Sequence, residues 1–290
     1  MAYTQLIPRH TPGARVEEIS REPAHYRLSI PSGLPDSYRL AQLDDYTKTS
    51  RGRFPHRIPL SLSLLARTSS DSIAGTWGFG LWNDPFGLSL GFGGNPFRLP
   101  ALPNAVWFFG ASEENYLSFK DSTDSGLDTG ETSARPTRPP VANGFLAQTF
   151  RSPRFHPLLI PAGLALPFSR KLTRRLLSRV IEEDGIALYN PRYVAPLDTQ
   201  ANVSDAESLR VNPTQWHRYR LDWREQQVSF EVDDVPVFES PVSPNPPLGL
   251  VIWIDNQYAA FTPEGKIGFG VLANPEPAWL EVKEIELKSL

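Results

Sequence analysis

TWGFGLWNDPF, residues Thr76 to Phe86, alternates aromatic residues with glycines in a pattern typical of a strand. Successive side chains of a strand point to opposite faces. One face then carries the bulky residues Trp77, Phe79 and Leu81. The other face carries Gly78, Gly80 and Trp82. Because glycine weakens a strand interior, two glycines on one face indicate a bulge, a close neighbour or a surface that receives something else.

Two further segments extend this pattern. KIGFGVLAN, Lys266 to Asn274, places Gly268 and Gly270 together on one face of a predicted strand. LGLVIWIDNQY, Leu248 to Tyr258, places aliphatic residues on one face and Trp253 and Asp255 on the other. If these strands share a sheet, their aliphatic faces form a core. The opposite faces then form a smooth floor that carries Trp82, Trp253 and Asp255, which is a predicted binding surface.

The composition is that of a folded protein without a dominant charge. The chain has 290 residues, of which 40% are hydrophobic and 11% aromatic, and a formal net charge of −3. It lacks the basic footprint that nucleic-acid binding requires. It contains no Cys, which excludes disulfides, thiolate catalysis and cysteine-ligated metals. We see no signal peptide and no transmembrane segment, so the sequence favours a cytoplasmic location.

Apolar and β-branched runs separated by turn residues predict about a dozen short strands. This pattern indicates an all-β protein, either a sandwich or a barrel. Residues 1–24 show no periodicity and are interpreted as an N-terminal tail. Residues 25–290 are interpreted as a single β-sandwich domain, with a long polar loop over residues 121–140.

One segment, at about residues 155–185, breaks the β pattern and predicts a helical insertion. Ser169 is a suitable N-cap, Gly185 a suitable end, and one stripe is apolar: Leu172, Leu176, Leu177, Val180 and Ile181. The other face is basic: Arg170, Lys171, Arg174, Arg175 and Arg179. Such a helix lies on a membrane surface, contacts an acidic partner, covers a cleft, or packs its stripe on the sandwich.

The segment WHRYRLDWREQQVSFEVDDVPVFES, Trp216 to Ser240, resembles a hairpin of concanavalin A-like sandwiches, particularly of the family 16 β-glucanases. GTWGFGLWN is similar to the Trp-rich cleft strand of that family, and KIGFGVLANPEPAWLEVKEIEL to its closing strand pair. The resemblance covers about two thirds of the chain, from about Pro59 to Leu290. It implies a two-sheet antiparallel jelly-roll sandwich with a cleft on one sheet.

The resemblance does not extend to the catalytic signature. Retaining glycosidases of this kind need two carboxylates about 5 Å apart. The strand in the corresponding position, NAVWFFGAS, contains none. Glu231, Asp233 and Asp234 superficially match the motif, but Pro236 occupies the position of its second Glu, and the segment belongs to the opposite sheet. The catalytic residues of the family are therefore not carried over.

The candidate site residues come from the predicted floor. Asp255 shares a face with Trp253, where apolar surroundings would raise its pKa into the range of a general acid. The other reading of Asp255 is a strand-end residue that accepts a hydrogen bond from the following turn. Glu113 and Glu114 end the strand in the catalytic position, but adjacent residues point in opposite directions. Trp107 is assigned to the core, and the predicted ligand-binding residues are Trp82, Trp253, Gln257, Gly78, Gly80, Gly268 and Gly270.

Three functions remain open. The first is binding of a carbohydrate or related small ligand, saccharide or apolar, on the floor. The second is a glycoside hydrolase-like enzyme that uses Asp255 as its relocated acid and acts on a saccharide or on a more apolar substrate. The third is a protein that contacts a membrane surface or a partner through the basic helix. No metal or cofactor is indicated; sandwiches of this kind often hold a structural calcium ion, but no dense run of oxygen ligands is seen.

Overall fold

The computed structural model describes residues 5–85, 101–116, 118, 143–153, 177–189, 211–261 and 267–290. Within these ranges the chain forms two seven-stranded antiparallel sheets and one separate hairpin. The first sheet, sheet A, consists of β1 (Ile7–His10), β4 (Leu40–Asp44), β6 (Thr76–Trp82), β7 (Ala105–Ala111), β8 (Gly144–Arg151), β9 (Glu182–Tyr189) and β13 (Gly249–Asp255). Its spatial order is β1-β4-β13-β6-β7-β8-β9.

The second sheet, sheet B, covers one face of sheet A. It consists of β2 (Arg15–Arg21), β3 (Ala24–Ile30), β5 (Leu60–Thr68), β10 (His217–Trp223), β11 (Val228–Val232), β12 (Val235–Ser240) and β16 (Ala278–Ser289). Its spatial order is β12-β11-β10-β5-β16-β3-β2. The remaining strands, β14 (Gln257–Phe261) and β15 (Ile267–Val271), pair with each other. A short 3-10 helix spans Arg51–Arg53.

The architecture confirms the predicted all-β, two-sheet antiparallel sandwich. Strands β6 and β13 are neighbours in sheet A, with Trp253 opposite Gly78 and Ile252 opposite Phe79. The predicted face division also holds for β6. Trp77, Phe79 and Leu81 lie in the core between the sheets, together with Ile252 of β13.

The structure corrects two boundaries. Residues 1–24 are not only a tail, because β1 and β2 lie within them and extend the edges of the two sheets. Gly185 does not end a helix, because β9 runs through it and pairs with β8. A single helical turn at Leu177–Ile181 precedes β9. The rest of the predicted helix, including Ser169, Leu172, Leu176, Arg170, Lys171, Arg174 and Arg175, lies outside the described residues, as does the 121–140 loop.

The predicted floor is divided between two places. Gly78 and Gly80 are in sheet A, whereas Gly268 and Gly270 belong to the separate β14–β15 hairpin. The expectation that all four glycines share one sheet is therefore wrong. The predicted closing pair is separated in the same way, because β16 lies in sheet B rather than beside β15.

Candidate functional site

The outer face of sheet A, the one that points away from sheet B, is covered by aromatic side chains. These side chains form an apolar cluster that is separate from the core between the sheets. Its members include Trp82, Trp107 and Trp253, and we call these three residues the tryptophan face. Their side chains are 9%, 3% and 6% exposed. The rings of Trp82 and Trp253 are nearly parallel, with centroids 6.0 Å apart and an angle of 5° between the planes. Trp107 lies across both rings, with its centroid 6.1 Å from Trp82 and 5.7 Å from Trp253.

The glycines of β6 make room for these rings. A Cβ on Gly78 would lie 2.9 Å from the Trp253 ring and 2.4 Å from the backbone oxygen of Phe108. A Cβ on Gly80 would lie 2.6 Å from the Cα and Cβ of Trp107. The tryptophans of the neighbouring strands therefore lean over β6 where it has no side chains. The tryptophan rings therefore occupy the space directly above the bare face of β6.

Side chains outside sheet A pack on the tryptophan face. Tyr46 and Phe54 approach it from the connection after β4, with the Tyr46 ring centroid 6.2 Å from that of Trp82. Leu177 and Ile181 belong to the same cluster. Leu177 and Ile181 are two of the three described residues of the predicted apolar stripe, and both pack on the sandwich.

A polar corner, formed by Tyr38, Thr76 and Asp255, borders the tryptophan face. The Trp253 indole Nε1–H donates to Thr76 Oγ1 at 2.9 Å, and the Thr76 hydroxyl donates to Asp255 Oδ1 at 2.7 Å. The Tyr38 hydroxyl donates to Asp255 Oδ2 at 3.0 Å. Both carboxylate oxygens of Asp255 are therefore engaged, and the chain of bonds fixes the orientation of the Trp253 ring.

The end of β13 is held in place by the next residue. Asn256 is fully buried. Its Oδ1 accepts from the backbone N–H of Arg39, and its Nδ2 donates to the backbone oxygens of Ser37 and Leu272. This fixes the corner between β13 and β14, where the Gln257 N–H donates to Asp255 Oδ1 at 3.3 Å. Asp255 thus has the turn bond expected of a strand-end residue as well as its place beside Trp253.

Burial raises the pKa of Asp255 to about 6, although the hydrogen bonds from Thr76 and Tyr38 oppose the shift. Burial also raises the pKa of the Tyr38 hydroxyl well above its ordinary value, and the neighbouring Asp255 contributes to that shift. The polar corner therefore holds a carboxyl group that changes its protonation state near neutral pH.

The structure brings several sequence-predicted residues together and separates others. Trp82, Trp253 and Asp255 lie on the same face of sheet A, with Gly78 and Gly80 beneath the rings. Gln257 lies next to Asp255 through its backbone. Gly268 and Gly270 lie against Tyr258 in their own hairpin, where a Cβ on Gly270 would be 2.6 Å from the Tyr258 ring.

Sequence reasoning missed three members of the site. Trp107 was assigned to the core, and it is buried, but in the cluster on the outer face of sheet A, because it is paired with Gly80 of β6. Tyr38 and Thr76 were not identified as partners of Asp255. Thr76 is opposite Asp255 in the register of β6 and β13. The register between strands was the missing information, since the alternation within β7 places Trp107 correctly once that pairing is known.

The described residues contain no group of three or more His, Cys, Asp or Glu side chains arranged to hold a metal ion. Within the same ranges, no helix has the length and apolar character needed to cross a membrane.

Comparison with known proteins gave likenesses of fold alone. No protein-family model and no curated protein sequence matches the chain. Among solved structures, a legume lectin-like domain from Entamoeba histolytica matches with a TM-score of 0.42 and 9% identity, over 98% of this chain and 90% of that one. A β-1,3-1,4-glucanase (lichenase) derived from a mouse hindgut metagenome matches with a TM-score of 0.42 and 9% identity, over 97% of both chains.

A family 16 endo-glucanase from Bacteroides ovatus matches similarly, with a TM-score of 0.42 and 9% identity, over 99% of this chain and 96% of that one. These three solved structures are a legume lectin-like domain and two glucanases, and their likeness to this chain is one of fold alone. No ligand or activity is carried over from them, because one fold hosts many functions.

Proposed function

We propose that the protein binds a small, mainly apolar molecule on the tryptophan face, with a hydrogen-bonding group of the ligand directed to the polar corner. The observation that carries this proposal is the arrangement of Trp82, Trp107 and Trp253 beside the bonded Thr76 and Asp255. Ligand pockets combine a largely apolar and aromatic lining with a few placed polar groups. The outer face of sheet A has this combination of side chains. Its rings lie beneath Tyr46, Phe54, Leu177 and Ile181, so a ligand must displace part of this cover to reach them.

The surroundings of the rings favour an apolar ligand over a saccharide. A saccharide presents a hydroxyl on most of its carbons, and each hydroxyl needs a partner when it leaves water. The tryptophan face has apolar neighbours, including Phe109, Leu146, Phe150 and Val251. The buried amides beside it are already engaged, because Gln148 Oε1 accepts from Trp107 Nε1 at 3.3 Å and Gln42 Nε2 donates to Asp44 Oδ2 at 2.8 Å. A ring system or a short hydrocarbon with one polar end is satisfied by this lining.

Thermal-shift and calorimetric titrations test the proposal. The probes are 2-naphthol and farnesol, each with an apolar body and one hydroxyl, compared with cellotetraose and laminaritetraose. A ligand present at about 100 times its Kd stabilises the folded state by about 2.7 kcal/mol. For a chain of this size that corresponds to a rise in Tm of roughly 5 °C.

Variants locate the binding. Trp253→Ala removes one ring of the tryptophan face, and Trp253→Phe retains an aromatic ring but loses the bond to Thr76. Trp279→Ala removes a partly buried tryptophan on sheet B and is the matched control. We expect the apolar probes to bind the wild type and Trp279→Ala, to bind Trp253→Phe more weakly, and to fail with Trp253→Ala. Equal binding to Trp253→Ala and Trp279→Ala would refute the proposal, and a shift by the saccharides alone would replace the apolar ligand with a sugar.

A second candidate function is a glycosidase-like enzyme in which Asp255 is the acid. It is favoured by the position of that buried carboxyl group, which is linked to Trp253 through Thr76 and whose pKa burial raises to about 6, a value that suits proton transfer near neutral pH. It predicts turnover of a bound probe that Asp255→Asn abolishes while binding remains. Binding without turnover in the wild type favours the first function.

A further inference from the structure

A cleft of about 330 Å³ lies at one end of the sandwich, where β6 begins, β7 ends and β8 begins. It is separate from the tryptophan face, because Trp77 in its wall points to the opposite side of β6 from Thr76 and Gly78. Its inner wall contains Trp77, Gly110 and Phe145. Its rim contains Asp71 from the β5–β6 connection and Glu113 and Glu114 from the turn after β7.

The inner wall presents a hydrogen-bond donor. The Trp77 ring is stacked on Phe145, with centroids 4.8 Å apart and an angle of 19° between the planes. A Cβ on Gly110 would lie 2.1 Å from Nε1 of Trp77, so the indole N–H edge faces this glycine in the cleft wall. The Trp77 side chain is 4% exposed, and its Nε1–H has no hydrogen-bond partner among the described residues. Nε1 is not one of the fully buried polar atoms that lack a partner, so it is open to the cleft, where a ligand oxygen can accept its hydrogen.

The acidic rim is held in place by buried contacts. Asn115 is 1% exposed, and its Nδ2 donates to the backbone oxygen of Gly75 and to Ser112 Oγ. Its Oδ1 accepts from the backbone N–H of Ala259. The Gly75 N–H donates to Ser112 Oγ at 3.2 Å. The turn that carries Glu113 and Glu114 is therefore fixed to the start of β6.

The charge of the cleft has one sign. The described residues that line it include three acids and no Lys, Arg or His. Asp71 already accepts one hydrogen bond, from the Tyr189 hydroxyl at 2.7 Å, which orients its carboxylate and leaves acceptor capacity on it. Carboxylates on a concave surface attract a cation more strongly than they do on a flat one.

We propose that this cleft binds a small organic amine that carries a hydroxyl group close to its ammonium, such as an amino alcohol or an amino sugar. The ammonium is held by the rim carboxylates of Asp71 and Glu114. The oxygen accepts from Nε1–H of Trp77, and the carbon skeleton contacts Phe145. The volume suits a molecule of this size, since pockets for small ligands begin at about 300 Å³.

The test compares probes that differ in charge. Glucosamine and ethanolamine carry the ammonium and a hydroxyl, and glucose and ethylene glycol are their uncharged counterparts. Binding is measured by calorimetry and by NMR of the indole N–H resonances, with the Trp77 resonance assigned through Trp77→Phe. We expect the amines to bind and to shift the Trp77 resonance, and the uncharged probes to do neither.

Matched variants distinguish binding in the cleft from a non-specific effect of the net charge of the protein. Asp71→Asn with Glu114→Gln removes two charges from the rim, and Glu225→Gln with Glu276→Gln removes two charges from exposed positions elsewhere. We expect the rim pair to weaken glucosamine binding at least about tenfold, or about 1.4 kcal/mol, and the distant pair to leave it unchanged. Raising the salt from about 20 mM to about 300 mM should also weaken binding by the wild type.

Three results would overturn the proposal: equal binding of glucosamine and glucose, equal losses in the two variant pairs, or binding that leaves the Trp77 resonance in place. Trp253→Ala distinguishes this proposal from the function proposed above. Trp253 lies on the other face of sheet A, so the variant should lose binding of the apolar probes and still bind glucosamine.

Discussion

Gly78 shows how one missing side chain determines the shape of the outer face. Its position is opposite Trp253 in sheet A, and the Trp253 ring occupies the space that a Cβ would need. The residue was predicted as part of a bare floor, but the Trp253 ring lies directly above it. What alternation within a single strand could not show is that the neighbouring strand fills the space.

Gly78→Ala should destabilise the protein and displace Trp253. The added Cβ meets the backbone oxygen of Phe108 at 2.4 Å, which cannot move without shifting β7. Overpacking of this kind costs about 1–3 kcal/mol. Gly52→Ala is the matched control, because a Cβ there meets nothing within 4 Å. Chemical denaturation measures both, and equal stability of the two variants would contradict this account of β6.

Asp255 gives the protein a pH-dependent stability of a defined sign. Its pKa is about 6 in the folded protein and has an ordinary value of 3.8, so the folded state binds the proton more tightly than the unfolded chain does. The stabilisation is complete below about pH 4 and is lost as the pH rises through about 6. The difference corresponds to about 3 kcal/mol.

Asp255→Asn should remove this dependence. Relative to the variant, the wild type should lose up to about 3 kcal/mol of unfolding free energy between about pH 4 and pH 7. Urea denaturation at a series of pH values measures the difference, in which titrations common to both proteins cancel. A difference that stays constant with pH, or that changes in the opposite direction, would show that the carboxyl group is not held in a dry environment.

At the scale of elements, Glu281 connects three strands of sheet B. It lies on β16 and is paired with Arg27 of β3 on one side and Arg67 of β5 on the other. The Arg27 Nε donates to Oε1 at 2.7 Å, and the Arg67 Nε donates to Oε2 at 2.8 Å. Burial alone would raise the pKa of Glu281, but the hydrogen bonds from Arg67 and Arg27 outweigh it and hold the pKa below its usual value.

Glu281→Gln should therefore destabilise sheet B, and the loss should depend on pH in the direction opposite to that of Asp255. The stabilising charge is present above the carboxyl pKa of the unfolded chain and disappears as the pH falls through the lower folded value. Near pH 7 we expect a loss of about 2 kcal/mol, typical of hydrogen bonds to a charged group. Glu239→Gln, at an exposed position of β12, is the control. Thermal denaturation at about pH 3 and pH 7 distinguishes them, and a loss that is equal at both values would argue against an ionised Glu281.

The elements that the sequence predicted are those with a buried face. Alternation identified β6 and β13 because each has large apolar residues on one side. It missed β2, RVEEISR, because most of its side chains are exposed at the edge of sheet B. It mistook β9 for the end of a helix, since Leu177, Val180 and Ile181 have helical spacing immediately before that strand.

The candidate site was predictable only in part for a related reason. Trp82, Trp253 and Asp255 could be placed on one face from their own strands. Tyr38 precedes β4, and its contact with Asp255 bridges residues far apart in the chain. Such a contact depends on the order of strands in sheet A, which no local pattern contains.

At the scale of the whole molecule, the N-terminal residues protect one edge of sheet A. Strand β1 pairs with β4 along its whole length and covers the edge of sheet A. All five residues of β4 are buried. Without β1, a buried strand would become an open edge, which favours association with other chains.

Deletion of residues 1–11 should therefore lower the stability of the entire sandwich. We expect a loss of about 2 kcal/mol in unfolding free energy and a greater tendency to aggregate, because β4 loses its backbone partner. Calorimetry gives the stability, and light scattering over time gives the aggregation. An unchanged Tm together with unchanged scattering would restore the interpretation of this segment as a tail.

The alternation of tryptophan, phenylalanine and leucine with glycine in β6 also limits how the strand can assemble during folding. A slip of one residue against β13 would turn Trp77, Phe79 and Leu81 outward and leave Gly78 and Gly80 facing sheet B. The interior would then lack its largest side chains, while the rings of Trp107 and Trp253 would collide with new neighbours. The alternation that shapes the outer face therefore also disfavours a shifted pairing and favours the observed register of β6 with β13.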